Sequence, residues 1–87
     1  MVIAMRYLTY EEAIAEIKYW LNRLEESLNS SDPSAVETAK ECVGALVEIG
    51  DLGVGHVLRR LVEKSAPDFR PILAKGAEIL EPIEVTQ

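Results

Sequence analysis

The chain has 87 residues, a formal net charge of −6, and 48% apolar against 28% charged side chains. That balance describes one folded globular domain rather than a disordered chain, and the acidity argues against generic nucleic-acid binding, which needs clustered Lys and Arg to neutralise phosphates. A single cysteine, Cys42, excludes an intrachain disulfide and a multi-cysteine metal site.

The opening Met1-Val2-Ile3-Ala4-Met5 is apolar but too short, and too poor in basic residues, for a secretory signal. No apolar run approaches the ~20 residues of a membrane span. A soluble, cytoplasmic chain is the expectation, and the lone cysteine fits a reducing compartment. Three Asn or Gln residues in the whole chain is the kind of scarcity thermophile proteins show.

Thr9-Tyr10-Glu11-Glu12 has the form of a capping box and opens a first helix over about 10–28. Tyr10, Ile14, Ile17, Leu21, Leu24 and Leu28 alternate in spacings of four and three, which makes one apolar stripe. Trp20 widens that stripe, Tyr19 points nearly opposite it, and Glu12, Glu16, Arg23 and Glu26 fall on the far face. Asp32-Pro33 then predicts a second helix over about 33–49, with aspartate as N-cap and proline at the first helical position. Val36, Ala39, Cys42, Val43, Leu46 and Ile49 form its apolar face, and Gly50 closes it. Asp51 is the expected cap of a third helix over about 52–65, with Val54, Val57, Leu58, Leu61 and Val62 inward. After the Ala66-Pro67-Asp68 break a fourth helix runs over about 69–80, with Phe69, Ile72, Leu73, Ala77 and Leu80 inward. Pro71 is tolerable in its first turn, and Glu81-Pro82 stops it before an extended tail over 81–87. No segment alternates with period two, so the fold class is all-α: a single domain of four helices in a compact array.

The stretch Ala45-Leu46-Val47-Glu48-Ile49-Gly50-Asp51, with Val54, Leu58, Leu61 and Val62 beyond it, resembles one repeat of the HEAT-like family, including the variant found in bilin-lyase-type proteins. Phe69-Arg70 resembles the opening of a following repeat, so the likeness covers one to one and a half repeats over residues 34–80. It implies that helices 2 and 3 form a hairpin and that the chain binds protein. It implies no catalytic residue. Leu52 stands where that pattern has proline, and Gly76 where it has leucine.

No side-chain set points to an enzyme. Cys42 and His56 are the only thiol and the only imidazole, and they fall on different helices, Cys42 on an apolar face where it acts as a small hydrophobe. One histidine supplies too few ligands for zinc. Gly50-Asp51-Leu52-Gly53-Val54-Gly55-His56 follows a helix rather than a strand, and it lacks the lysine of a phosphate-binding loop. Glu11, Glu12, Glu16, Glu25 and Glu26 line one helix instead of facing each other across a cleft. The expectation is no catalytic, cofactor-binding or metal-binding residue, no cofactor and no small-molecule substrate.

Two surfaces remain. Tyr10, Ile14, Ile17, Tyr19, Trp20, Leu21 and Leu24 make helix 1 a candidate interaction surface, since aromatics outside the core are typical interface anchors; Trp20 packing beneath the N-terminal segment is the structural alternative. Arg59, Arg60, Lys64, Arg70 and Lys75 form a candidate basic patch, opposed over 56–75 only by Glu63 and Asp68. A solvated, dipole-complementing face is its structural reading. The functional expectation is a non-enzymatic protein–protein interaction module, binding itself or another protein as a homo-oligomer or as the accessory subunit of a larger complex. The alternative is a nucleic-acid-associated accessory protein using the basic patch.

Overall fold

The computed structural model describes residues 9–50 and 52–81. Among these it contains four helices and no strand, an all-α fold: α1 (Tyr10–Leu28), α2 (Ala35–Ile49), α3 (Val54–Lys64) and α4 (Arg70–Leu80).

Local chemistry sets the ends of these helices. The capping box is fully formed at α1: the Glu12 amide donates to Thr9 Oγ1 at 3.1 Å, and the Thr9 amide donates to Glu12 Oε1 at 3.0 Å. Asn29 closes α1 with both its backbone and side-chain N–H groups on the Glu25 carbonyl, at 3.2 and 3.0 Å. Helix α2 starts two residues later than the Asp32-Pro33 pair predicts. The Asp32 carboxylate turns onto its own neighbour, accepting from the Ser34 amide and hydroxyl at 2.9 Å each, while its carbonyl accepts from the Ala35 amide. A residue that bonds two positions ahead builds an Asx turn before the helix rather than capping its first amides.

Gly50 ends α2, but not in the left-handed conformation of a common glycine cap. Its φ of 112° and ψ of 174° lie in a region that is essentially glycine-only, and its amide still donates to the Leu46 carbonyl at 3.2 Å. Gly53, with φ 93° and ψ −3°, is the left-handed residue, and it stands immediately before α3. That helix consequently begins at Val54 rather than near 52. The expected Asp51 cap and most of the expected tail, 82–87, lie outside the described residues.

The extensive packings are α1 on α2 and α3 on α4, with a smaller one of α2 on α4. The antiparallel pairing expected of helices 2 and 3 is therefore not a principal contact. The two helices follow one another through Gly50, yet each lies mainly against another partner. Two positive-φ glycines in so short a connection turn the chain away, so that α3 folds back on α4. The second pair closes on the first at Gly76. A Cβ there would run into Val43 Cγ1 of α2 and come within 3.2 Å of Leu58 Cδ1 of α3, so a residue with no side chain lets three helices converge. Leu24, Leu46, Leu58 and Leu73, one from each helix, are fully buried around this junction with Val54 and Cys42.

Candidate interaction surface

The predicted surface of α1 divides in two. Ile17 and Leu24, offered above as contact residues, are buried in the core and closed to a partner. The α1 stripe is the seam that α2 covers, and its inward members are spent on folding. Ile14, Trp20 and Leu21 are half-buried, with Trp20 and Leu21 packed against the core. Tyr10 and Tyr19 remain open, at 70% and 54% exposure.

Tyr19 does not stand alone. Its ring meets the Trp20 ring edge-on, with centroids 5.0 Å apart and planes at 81°, the arrangement in which ring quadrupoles attract. The Arg23 guanidinium lies 5.9 Å from both ring centroids, within cation–π range. The far-face reading of Arg23 therefore needs correction. It is half-buried, its Nε is shut away from water without a hydrogen-bond partner, and its guanidinium reaches the Cys42 thiol on α2. Burial pushes that thiol above its ordinary pKa, while the neighbouring Arg23 works against the rise. A fully buried, protonated thiol is a poor nucleophile. The spacing carried the signal for this cluster: residues i+4 from Tyr19 and i+3 from Trp20 stand over those rings on a helix.

Where α1 meets the start of α2 there is a shallow cleft of about 210 Å³, lined by Arg23, Ser27, Ser30, Asp32, Ser34 and Thr38 among others. Its polar groups are mostly engaged within the chain. Ser27 donates to the Arg23 carbonyl, Ser34 to Asp32, and Thr38 to the Ser34 carbonyl; Ser30 accepts from the Asp32 amide.

The basic patch also divides. Arg59 bonds the Glu81 carboxylate through Nε at 3.2 Å and the Glu81 carbonyl through Nη2, tying α3 to the end of α4. Gly55 leaves room for that crossing, since a Cβ there would lie 2.6 Å from Glu81 Cβ. Arg70 donates from Nε to the Ser65 carbonyl at 3.0 Å, where the end of α3 leaves acceptors unpaired. Arg60, Lys64, Arg70 and Lys75 are exposed and Arg59 is half-buried, so the division lies between the two arginines tied within the chain and the other three cations. His56 is exposed on α3 and Cys42 buried on α2. Among the described residues no cluster of three or more His, Cys, Asp or Glu could hold a metal ion, and no helix is long and apolar enough to cross a membrane.

No family model, curated protein or solved structure matches the chain.

Proposed function

We propose that this chain is a non-enzymatic protein–protein interaction module that presents the outer face of α1. The observation that carries this reading is the Tyr19–Trp20–Arg23 cluster. An aromatic more than half exposed is held by an edge-on ring and a guanidinium, so it loses little further freedom on being covered. A large, pre-ordered aromatic of this kind anchors an interface at low entropic cost. Such a module acts either as a homo-oligomer or as an accessory subunit. A cytoplasmic setting suits a chain whose only cysteine is a buried thiol. The nucleic-acid alternative is the weaker reading, because Arg59 and Arg70 each spend a hydrogen bond on another residue of the chain.

The test is site-specific photocrosslinking in the native host. A photoreactive phenylalanine at position 19 should give a discrete adduct, and the same group at exposed Glu48 on α2 should not. Indistinguishable patterns from the two positions, or none from position 19, would remove the α1 face as the docking surface.

A further inference from the structure

The partner chemistry of that face can be taken one step further, resting on the reading of α1 as a docking surface. Helices α2 and α4 each pack against two neighbours, whereas α1 and α3 each make one extensive packing and so form the two flanks. The flanks carry opposite charge. Helix α1 holds five carboxylates against Lys18 and Arg23, a net of −3, and α3 holds Arg59, Arg60 and Lys64 against Glu63, a net of +2.

Helical geometry places the exposed groups. Tyr19 and Glu26 each lie two residues, about 200°, from the buried Ile17 and Leu24, so both fall on the exposed outer side of α1 with Asn22 between them, Glu26 at the rim of the cleft toward α2. Arg60 and Lys64 are one turn apart on α3, both exposed, and neither has an intrachain anion among the described residues. One flank is thus aromatic and acidic, and the other offers an exposed guanidinium and ammonium. Guanidinium groups stack on tyrosine rings and pair with carboxylates. We infer that the α1 flank takes the α3 flank of a second copy of this chain, with Arg60 and Lys64 of one copy facing Tyr19 and Glu26 of the other.

The contact is largely electrostatic at its rim, so it weakens as salt shortens the reach of charge. Sedimentation equilibrium of the full chain at low salt should give a mass above the 9.7 kDa of one chain, falling to that value at about 0.5 M salt, where the screening length is only a few ångströms. Reversing either flank, by Arg60→Glu/Lys64→Glu or by Asn22→Lys/Glu26→Lys, should leave a monomer of unchanged helicity. Mixing the two variants should restore assembly, because each then carries the charge that the other lacks.

A wild-type chain that stays monomeric at low salt overturns the inference, as does assembly that ignores both reversals or a mixture that stays monomeric. The photocrosslink separates this failure from that of the underlying reading. A position-19 adduct to a different protein, with a monomeric wild type, sinks the second-copy assignment and leaves the α1 docking face standing. A self-adduct supports both.

Discussion

The two helix pairs of this molecule solve the same problem with different materials. The α1/α2 pair has helices of 19 and 15 residues carrying a net of −5, and the α3/α4 pair has two of 11 carrying a net of +3. Their turns differ in kind. Between α1 and α2 the chain turns on short polar side chains bonding to nearby residues, Asp32 to Ser34 and Ser30 to Asp32. Between α3 and α4 one long cation, Arg70, reaches back five residues to the Ser65 carbonyl, and a second, Arg59, binds the far end of α4. Long helices bury a stripe large enough to hold themselves together, so their turn can be local. Short helices bury less, and here arginines cross-brace both ends of the pair.

The sharpest way to break the comparison is at the junction of the pairs. Gly76 of α4 has no space for a Cβ, because Val43 Cγ1 and Leu58 Cδ1 occupy it, and the β-branched Val43 cannot swing aside cheaply. Gly44 of α2, also inside a helix, has nothing within 4 Å of the Cβ position. Gly76→Ala should therefore destabilise by about 1–3 kcal/mol through overpacking, whereas Gly44→Ala should stabilise by about 0.5–1 kcal/mol through backbone entropy and helix propensity. Urea midpoints of the two variants decide it. Shifts of the same sign would show that the pairs do not meet at Gly76.

The connection between the pairs comes next in size. Gly50 holds a φ of 112° with an extended ψ, a conformation costing side-chain-bearing residues about 1–3 kcal/mol. Gly50→Val should lower the urea midpoint accordingly, by at least ~1 kcal/mol in stability. An unchanged midpoint would mean that the turn between the pairs can be made by other residues, and that the pairs are joined less strictly than the two glycines suggest.

These residues show what the sequence could and could not tell. Helix existence and inward faces were legible, because the periods of Ile17–Leu24, Ala39–Leu46 and Leu58–Val62 need only one apolar neighbour each. The α1 start was legible too, since a capping box satisfies its amides within four residues. Which helix each face would meet was not. The apolar stripe of α2 says that something covers it, and only the positive-φ pair Gly50 and Gly53, together with the missing side chain at Gly76, sends α1 and α4 there instead of α3. The α1 aromatics were legible as a candidate surface, but Ile17 and Leu24 could be removed from it only by seeing α2 on top of them. The fates of Arg23, Arg59 and Arg70 depend on groups 19, 22 and 5 residues away, in order Cys42, Glu81 and Ser65. For the first two, sequence spacing gives no indication of such a partner.

The smallest effect distinguishes the two turns by their response to acid. Hydrogen bonds from the Ser34 amide and hydroxyl hold the Asp32 carboxylate below its ordinary pKa. A carboxylate depressed in the folded state contributes stability that is present above its unfolded value of about 3.9, and this is lost as pH falls through the lower folded value. Asp32→Asn keeps an acceptor for Ser34 but removes the charge, so the variant should be slightly less stable than wild type at neutral pH, with the deficit shrinking once the medium falls below about pH 4. Arg70→Met in the other turn removes no carboxylate and breaks only a bond to a backbone carbonyl, so its deficit should stay constant over the same interval. Urea titrations of both variants against wild type, at neutral pH and at about pH 3, provide the measurement. A pH-independent gap for Asp32→Asn would show that the Asx turn owes nothing to its charge, and that the two turns differ in geometry alone.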